Sequence, residues 1–150
     1  MNITIVGTGY VGLVTGTCFA NAGNTVMCLD IDQAKLAKLR NAEAPFFEPG
    51  LSELMRRSIE ARRLLFTDDA EEAFDVADMI FICVGTPTSA HGDCDLSGVM
   101  SVADEIARCI KDRKGNAPLI VVKSTVPVGT TELVGERITM QAGFQISIAN

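Results

Sequence analysis

Short apolar runs alternate along the chain with longer segments whose apolar positions recur every three or four residues. The short runs are typical of buried strands, and the longer spacing predicts amphipathic helices. Six strands are predicted, at residues 2–6, 25–30, 64–67, 78–84, 118–123 and 144–148. Six helices are predicted, at residues 10–22, 32–39, 51–61, 68–76, 97–111 and 130–140. Asp32 and Ser97 are expected to cap the second and fifth of these helices.

The alternation of strands and helices indicates the fold class. Strand–helix–strand units place consecutive strands in a parallel sheet, and their crossovers are almost always right-handed. The longest unbroken apolar run, at residues 79–84, suits a strand that is buried on both faces of such a sheet. We therefore predict an α/β fold with a doubly wound parallel six-stranded sheet.

Composition narrows the classes of protein that this pattern allows. The 150 residues are 47% hydrophobic and 21% charged, with a net charge of −6. A chain of this length and composition can build one domain with a substantial core. Its acidic balance argues against nucleic acid as a partner, because phosphate binding needs clustered Lys and Arg. A membrane-spanning helix needs about 20 apolar residues in a row, so no membrane partner is expected.

The cysteines indicate a reducing environment. They are five in number, without a Cys-x-x-Cys pair: Cys18, Cys28, Cys83, Cys94 and Cys109. All but Cys94 lie in apolar segments, where a free thiol packs as a small hydrophobic group. We expect no disulfide framework and no metal site. No basic segment precedes the first predicted strand, so no signal peptide is expected and the predicted location is cytoplasmic.

A glycine-rich hexapeptide joins the first strand to the first helix. Residues 7–12 read Gly-Thr-Gly-Tyr-Val-Gly, which matches G-x-G-x-x-G. In this context Gly7 permits a tight turn, Gly9 lets a pyrophosphate approach the backbone, and Gly12 lets the helix pack close to the sheet. The N-terminus of the helix supplies N–H groups and the positive end of a dipole to the phosphates. The fold is therefore expected to be Rossmann-like.

A carboxylate follows the second strand, where NAD-binding proteins place one. Asp30 comes eighteen positions after Gly12. A carboxylate here accepts hydrogen bonds from the adenosine ribose of NAD and would repel the 2′-phosphate of NADP. Ile31 stands where an arginine could have accommodated that phosphate. These residues favour NAD as the cofactor. A flavin dinucleotide uses the same fingerprint, but nothing in the chain argues for a flavin pocket.

Five short segments carry a more specific resemblance. They read Gly-Tyr-Val-Gly at 9–12, Glu-Pro-Gly-Leu at 48–51, Val-Gly-Thr-Pro-Thr at 84–88, Asp-Leu-Ser at 95–97 and Lys-Ser-Thr-Val-Pro-Val-Gly-Thr at 123–130. In this order they resemble the N-terminal, NAD-binding domain of the UDP-glucose/GDP-mannose dehydrogenase family. The resemblance covers essentially the whole chain.

The resemblance changes what is expected of individual residues. From spacing alone, Lys35 is a solvated lysine on a helix face, and Thr86 and Thr125 are turn or capping residues. The resemblance implies that all three contact the cofactor, and that Thr125 also positions a water molecule near the reacting carbon. The candidate cofactor-binding residues are therefore Gly7, Gly9, Tyr10, Val11, Gly12, Asp30, Lys35, Thr86 and Thr125.

The resemblance also implies an activity and further domains. The family oxidises the primary alcohol of a nucleotide sugar to a carboxylate with two NAD in succession, through a cysteine nucleophile that no cysteine here matches. Residues 1–150 would then be the NAD-binding domain of a longer enzyme. A central domain, through which the family forms homodimers, and a C-terminal domain that binds the nucleotide sugar would lie outside this segment.

Several alternatives stay open at this point. Residues 123–130 resemble the UDP-glucose branch, whereas residues 91–96 resemble the GDP-mannose branch, and a UDP-N-acetyl-mannosamine dehydrogenase also fits. A stand-alone module that senses NAD or NADH shares the glycine motif, as do hydroxyacid and 6-phosphogluconate dehydrogenases. Glu48 is expected to shape the turn into the next helix rather than to act as a general base. His91 is expected to be a surface residue.

Overall fold

A computed structural model describes residues 1–88, 92–113 and 115–150. These residues form one sheet of six parallel strands in the order β3-β2-β1-β4-β5-β6. The order reverses between β1 and β4, which is the arrangement of a doubly wound, Rossmann-like sheet. The predicted α/β class and strand count are confirmed.

The strands and helices agree closely with those predicted. The strands are β1 (Asn2–Val6), β2 (Thr25–Leu29), β3 (Leu64–Thr67), β4 (Met79–Ile82), β5 (Leu119–Val122) and β6 (Ser147–Ala149). The helices are α1 (Tyr10–Asn21), α2 (Gln33–Arg40), α3 (Leu51–Glu60), α4 (Ala70–Asp75), α5 (Ser97–Ile110) and α6 (Thr130–Ala142).

Three details differ from the sequence-based predictions. Ser97 does not cap α5: the N-cap is Leu96, and the Ser97 amide donates to Oδ1 of Asp95 at 2.9 Å. The last strand is β6, Ser147–Ala149, and not residues 144–148, because Phe144 and Ile146 instead pack into or against the core. Cys18, expected to be buried, is exposed on α1. The predicted cap of α2 is confirmed, since Asp32 accepts from the Lys35 amide.

The core forms two layers, one on each face of the sheet. On one face α1, α2 and α3 bury residues that include Leu13, Leu36 and Met55. On the other face α4, α5 and α6 bury residues that include Phe74 and Ile106. Successive strand residues point to opposite faces, so both layers draw on every central strand. This burial on both faces explains why the strands read as continuous apolar runs.

Loops at the carboxyl ends of the strands hold the candidate residues. The hexapeptide follows β1, Asp30 follows β2, Thr86 follows β4 and Thr125 follows β5. All four strands are parallel, so these residues lie along one edge of the sheet. No helix among the described residues has the length and apolar character that crossing a bilayer needs.

Candidate functional site: a dinucleotide-binding edge

The three glycines of the hexapeptide have different surroundings. Gly7 adopts a φ of +95°, and a Cβ there would lie 2.9 Å from the Cys83 carbonyl oxygen. A Cβ on Gly12 would lie 2.0 Å from the Gly7 carbonyl oxygen. A Cβ on Gly9 would meet nothing within 4 Å. The backbone therefore needs glycine at residues 7 and 12 to pack, whereas Gly9 borders open space through which a ligand can reach the loop.

The first helix begins at this open space. Gly9 is its N-cap and has no side chain to satisfy the first amides, and the first turn of α1 carries no acidic residue. The positive end of the helix dipole is therefore not neutralised from within the helix. Val11 is 46% exposed in this first turn. An anionic group placed beside Gly9 would meet favourable electrostatics.

The side chain of Asp30 is buried and held by several donors. It is 8% exposed. Its Oδ2 accepts from the Thr8 amide at 2.9 Å, from the Thr8 hydroxyl, and from Nζ of Lys35 at 2.7 Å. Its Oδ1 accepts from the Asp32 amide at 3.0 Å. The carboxylate is thus fixed in orientation before any ligand binds.

These donors determine the charge of Asp30. Burial by itself raises the pKa of the carboxyl group, but the hydrogen bonds from Lys35, Thr8 and Asp32 outweigh burial and lower the pKa to about 2. Asp30 is therefore ionised across the physiological pH range. A full negative charge at this position favours ribose hydroxyls and disfavours a ribose phosphate.

Lys35 is placed by the start of α2. Its amide donates to Oδ1 of the capping residue Asp32 at 3.0 Å, and its side chain, 29% exposed, reaches back to Asp30. The structure thus contradicts the purely solvated lysine that spacing alone suggested. Thr8, by contrast, was not singled out from the sequence. The signal that could have found it is a hydroxyl residue at the second position of the glycine motif, opposite the carboxylate after β2.

An apolar cavity adjoins Asp30. Its volume is about 290 Å³. It lies between the loops that follow β1, β2, β3 and β4, the start of α4 and the first three turns of α5, and its acidic lining residues are Asp30, Asp68 and Glu105. Apolar side chains supply much of the lining: Val6, Leu29, Ile31, Ala70, Val84 and Val102. Ile31 is 94% exposed at the rim. A flat apolar ring system joined to a ribose fits a cavity of this chemistry.

Tyr10 ties the first helix to the loop before α3. Its hydroxyl donates to Oε2 of Glu48 at 2.6 Å, and its ring packs on Phe46 with centroids 4.9 Å apart. The hydrogen bond to Glu48 raises the pKa of Tyr10. The Glu48 carbonyl accepts from the Leu51 amide at 3.1 Å, in the turn that leads into α3. This agrees with the structural role expected for Glu48.

The loops after β4 and β5 contact each other. The Thr86 hydroxyl donates to the Thr125 carbonyl at 2.8 Å. Below them, the Ser124 hydroxyl donates to the Val84 carbonyl at 2.7 Å. The thiol of Cys94 lies 3.8 Å from the same Thr125 carbonyl. The structure thus brings together the two threonines that the family resemblance singled out.

His91 lies outside the described residues. Among residues 1–88, 92–113 and 115–150, no group of three or more His, Cys, Asp or Glu side chains is arranged to hold a metal ion.

Comparison with known proteins identifies the family of the chain. The sequence model described as "UDP-glucose/GDP-mannose dehydrogenase family, NAD binding domain" matches residues 1–150. The chain belongs to this family. The expected resemblance is therefore confirmed, and the domain is the family's NAD-binding domain.

Curated relatives lie in the same family. The chain is 48% identical over 132 residues to UDP-glucose 6-dehydrogenase TuaD of Bacillus subtilis, covering 88% of the chain and 28% of that protein. It is 41% identical to a UDP-glucose 6-dehydrogenase of Pseudomonas aeruginosa, covering 100% of the chain and 33% of that protein. The chain thus spans about a third or less of the length of these relatives.

Solved structures share the fold. A GDP-mannose dehydrogenase from Pseudomonas aeruginosa, solved as a ternary complex, superposes with a TM-score of 0.95 at 34% identity, covering 100% of this chain and 36% of that one. A UDP-glucose dehydrogenase from the archaeon Pyrobaculum islandicum superposes with a TM-score of 0.92 at 39% identity, covering 99% and 35%. NAD fits the residues present here, because the open backbone at Gly9, the charged Asp30 and the apolar cavity adjoin one another.

Proposed function

We propose that the edge of the sheet formed by the hexapeptide, Asp30 and the loops after β4 and β5 binds NAD in preference to NADP. The observation that carries the proposal is the buried, ionised Asp30 beside the open approach to Gly9. The adenosine ribose would contact Asp30 and Lys35, and the adenine would occupy the apolar cavity. The pyrophosphate would lie against Gly9, Tyr10 and Val11 at the start of α1.

The nicotinamide end of the cofactor would then reach the loops after β4 and β5. NAD, when bound, supplies a hydride acceptor. Thr86 and Thr125 would border its nicotinamide, and Thr125 would position a water molecule for the reaction. The side-chain hydroxyl of Thr86 fixes the Thr125 backbone at 2.8 Å, which supports a shared role for the two residues.

The activity proposed for the full-length protein is the oxidation of UDP-glucose to UDP-glucuronate with two NAD. The names of the curated relatives support UDP-glucose over other nucleotide sugars. The chain spans only part of those relatives, so the cysteine nucleophile, the sugar-binding residues and the homodimer contacts are proposed to lie elsewhere in the longer enzyme. Five free cysteines support a reducing, cytoplasmic location.

A titration of the purified 150-residue chain with NADH and with NADPH tests the cofactor proposal. Protein-bound NADH changes its fluorescence, so both dissociation constants follow from the same measurement. We expect NADH to bind and NADPH to bind more weakly. Equal or tighter binding of NADPH would contradict the role of Asp30. Oxidation of UDP-glucose by this chain alone would contradict the proposal that the nucleophile lies elsewhere.

A further inference from the structure

Thr8 has no role in the proposed cofactor contacts, yet it makes two hydrogen bonds to the carboxylate at the centre of the site. It is fully buried, with 0% of its surface exposed. Both its backbone amide and its hydroxyl donate to Oδ2 of Asp30. A buried hydroxyl residue in a sharp glycine loop could have satisfied itself on a nearby carbonyl. Here it is aimed across the sheet at the end of the next strand.

The donors around Asp30 are unevenly distributed. Oδ2 receives three from the protein, two of them from Thr8 and one from Lys35. Oδ1 receives one among the described residues, from the Asp32 amide. A carboxylate offers about four lone-pair positions, two on each oxygen. Oδ2 is therefore saturated, and Oδ1 retains the acceptor position that a ligand hydroxyl can use.

The three donors to Oδ2 also differ in how firmly they are held. Lys35 is a long side chain on a helix surface and is 29% exposed, so its ammonium group has room to turn toward a ligand. Thr8 cannot leave, because one of its donors is backbone and its side chain is fully enclosed. If Lys35 moves to the ribose of a bound cofactor, Thr8 alone keeps Oδ2 in place.

We propose that Thr8 is the positioning residue for recognition of the adenosine ribose: it anchors Oδ2 of Asp30, so that Oδ1 is the oxygen presented to a ribose hydroxyl. Thr8 lies between Gly7 and Gly9, so the same residue also fixes the phosphate loop relative to the ribose site. The position of the pyrophosphate relative to the ribose is thereby set by one residue. This inference rests on the proposed NAD binding.

A double-mutant cycle on the 150-residue chain tests the inference, with NADH affinity as the readout. Thr8→Val keeps the shape of the side chain and removes its donor. We expect it to weaken NADH binding about tenfold, as for loss of a hydrogen bond to a charged group. Thr8→Ser, which keeps the hydroxyl, is expected to stay within about threefold of the unmodified chain.

The Asp30→Ala background separates positioning from a general structural effect. If Thr8 acts through Asp30, Thr8→Val should change NADH affinity by less than about twofold once the carboxylate is gone. An unchanged tenfold loss in that background would overturn the inference, and so would a Thr8→Ser variant as weak as Thr8→Val. If the unmodified chain binds no NADH, the proposed function fails. If it binds NADH and Thr8→Val binds equally well, the inference about Thr8 alone fails.

A second measurement needs no variant and covers the case in which Thr8→Val does not fold. The anchor is expected to persist in the complex, so the Thr8 amide should resist hydrogen exchange in both the free and the NADH-saturated chain. Exchange of individual amides can be followed by NMR. A Thr8 amide that loses its protection on addition of NADH would show that the bond to Asp30 breaks, and would overturn the inference.

Discussion

The two ends of the candidate site are built differently. At the end of β2, Asp30 is 8% exposed and receives four hydrogen bonds from the three residues Thr8, Asp32 and Lys35. At the end of β5, Thr125 is exposed, and its carbonyl accepts from the Thr86 hydroxyl. Both lie at the carboxyl edge of the same sheet.

This difference fits the proposed division of the site into a part that recognises the cofactor and a part where the reaction takes place. A carboxylate that selects one dinucleotide over another must keep its charge and orientation, and burial with several donors provides both. Residues at a reacting centre must admit a substrate, so exposure suits them. We call the part of the site around Asp30 the adenosine end. The following predictions test whether it is more rigid than the part around Thr125.

The largest effect is expected at Gly12. The Cβ of Gly12→Ala would lie 2.0 Å from the Gly7 carbonyl oxygen, which is backbone and cannot move aside cheaply. We expect the free energy of unfolding to fall by about 3 kcal/mol or more, measured by urea denaturation. Gly9→Ala is the matched control, because its Cβ meets nothing within 4 Å and its φ of −69° suits alanine.

Gly9→Ala should leave the free energy of unfolding within about 1 kcal/mol of the unmodified chain and weaken NADH binding. Equal stability of the two alanine variants would show that the loop is not packed as tightly as the structure indicates.

The second-largest effect is expected on the affinity for NADH. Asp30→Ala removes the proposed acceptor of the ribose hydroxyl and should weaken NADH by about 1–3 kcal/mol in a fluorescence titration. The control is Asp75→Ala, which removes an equal charge from an exposed position on α4. Equal losses for both variants would attribute the effect to net charge and not to the site.

Low pH should destabilise the fold, because Asp30 becomes protonated there. Its pKa of about 2 in the folded chain lies below the ordinary value of 3.8, so the ionised group stabilises the fold by about 2 kcal/mol above pH 5. That contribution is lost as pH falls through 3.8 toward 2. Lys35→Met removes one of the causes and should raise the pKa, as followed by the carboxyl carbon NMR signal of Asp30.

Lys38→Met is the control for that titration, since Lys38 is an exposed residue on the same helix. A midpoint for Asp30 that is the same in both lysine variants would mean that the ion pair with Lys35 does not hold the charge.

The smallest effect on stability is expected where the loops after β4 and β5 contact each other. Thr86→Val removes the hydroxyl that donates to Thr125, and should change the free energy of unfolding by less than about 1 kcal/mol. Ser124→Ala removes a less exposed bond to the Val84 carbonyl and should cost more, about 1 kcal/mol. If Thr86→Val proves the more destabilising in urea, the loops after β4 and β5 are as rigid as the adenosine end.

Much of this structure could be predicted from the sequence because the sheet is buried on both faces. Apolar runs such as residues 79–84 mark such strands directly, and the glycine spacing predicted a phosphate-binding loop after β1. That Thr86 and Thr125 lie near each other also followed, since parallel strands end at one edge. The bounds of β6 did not follow, because Phe144, Ile146 and Ile148 all contact the core although only Ile148 lies in the strand.

The hydrogen-bond network of Asp30 could not be predicted. It depends on where the Thr8 hydroxyl points and on how far Lys35 reaches, and neither leaves a periodic signal. The hydrogen bond between Tyr10 and Glu48 could not be predicted either, since 38 positions separate the two residues. For Ser97 the sequence did hold a signal: Asp95, two residues earlier, accepts from the Ser97 amide through its Oδ1.

The bond between Thr8 and Asp30 also has a consequence for how the chain folds. It closes a segment of only 22 positions, whereas pairing of β1 with β4 joins Ile3 to Met79. Short closures cost less chain entropy, so β1, α1 and β2 should assemble before β4 docks. The amides of Gly7 and Thr25 donate to the Leu29 and Met1 carbonyls, between β1 and β2, and the Cys83 amide donates to the Val6 carbonyl, between β4 and β1. Pulse-labelled hydrogen exchange should then protect Gly7 and Thr25 earlier than Cys83, and simultaneous protection would refute this order. The segment from β1 to β2, which contains the proposed ribose-binding residue Asp30, would thus form first.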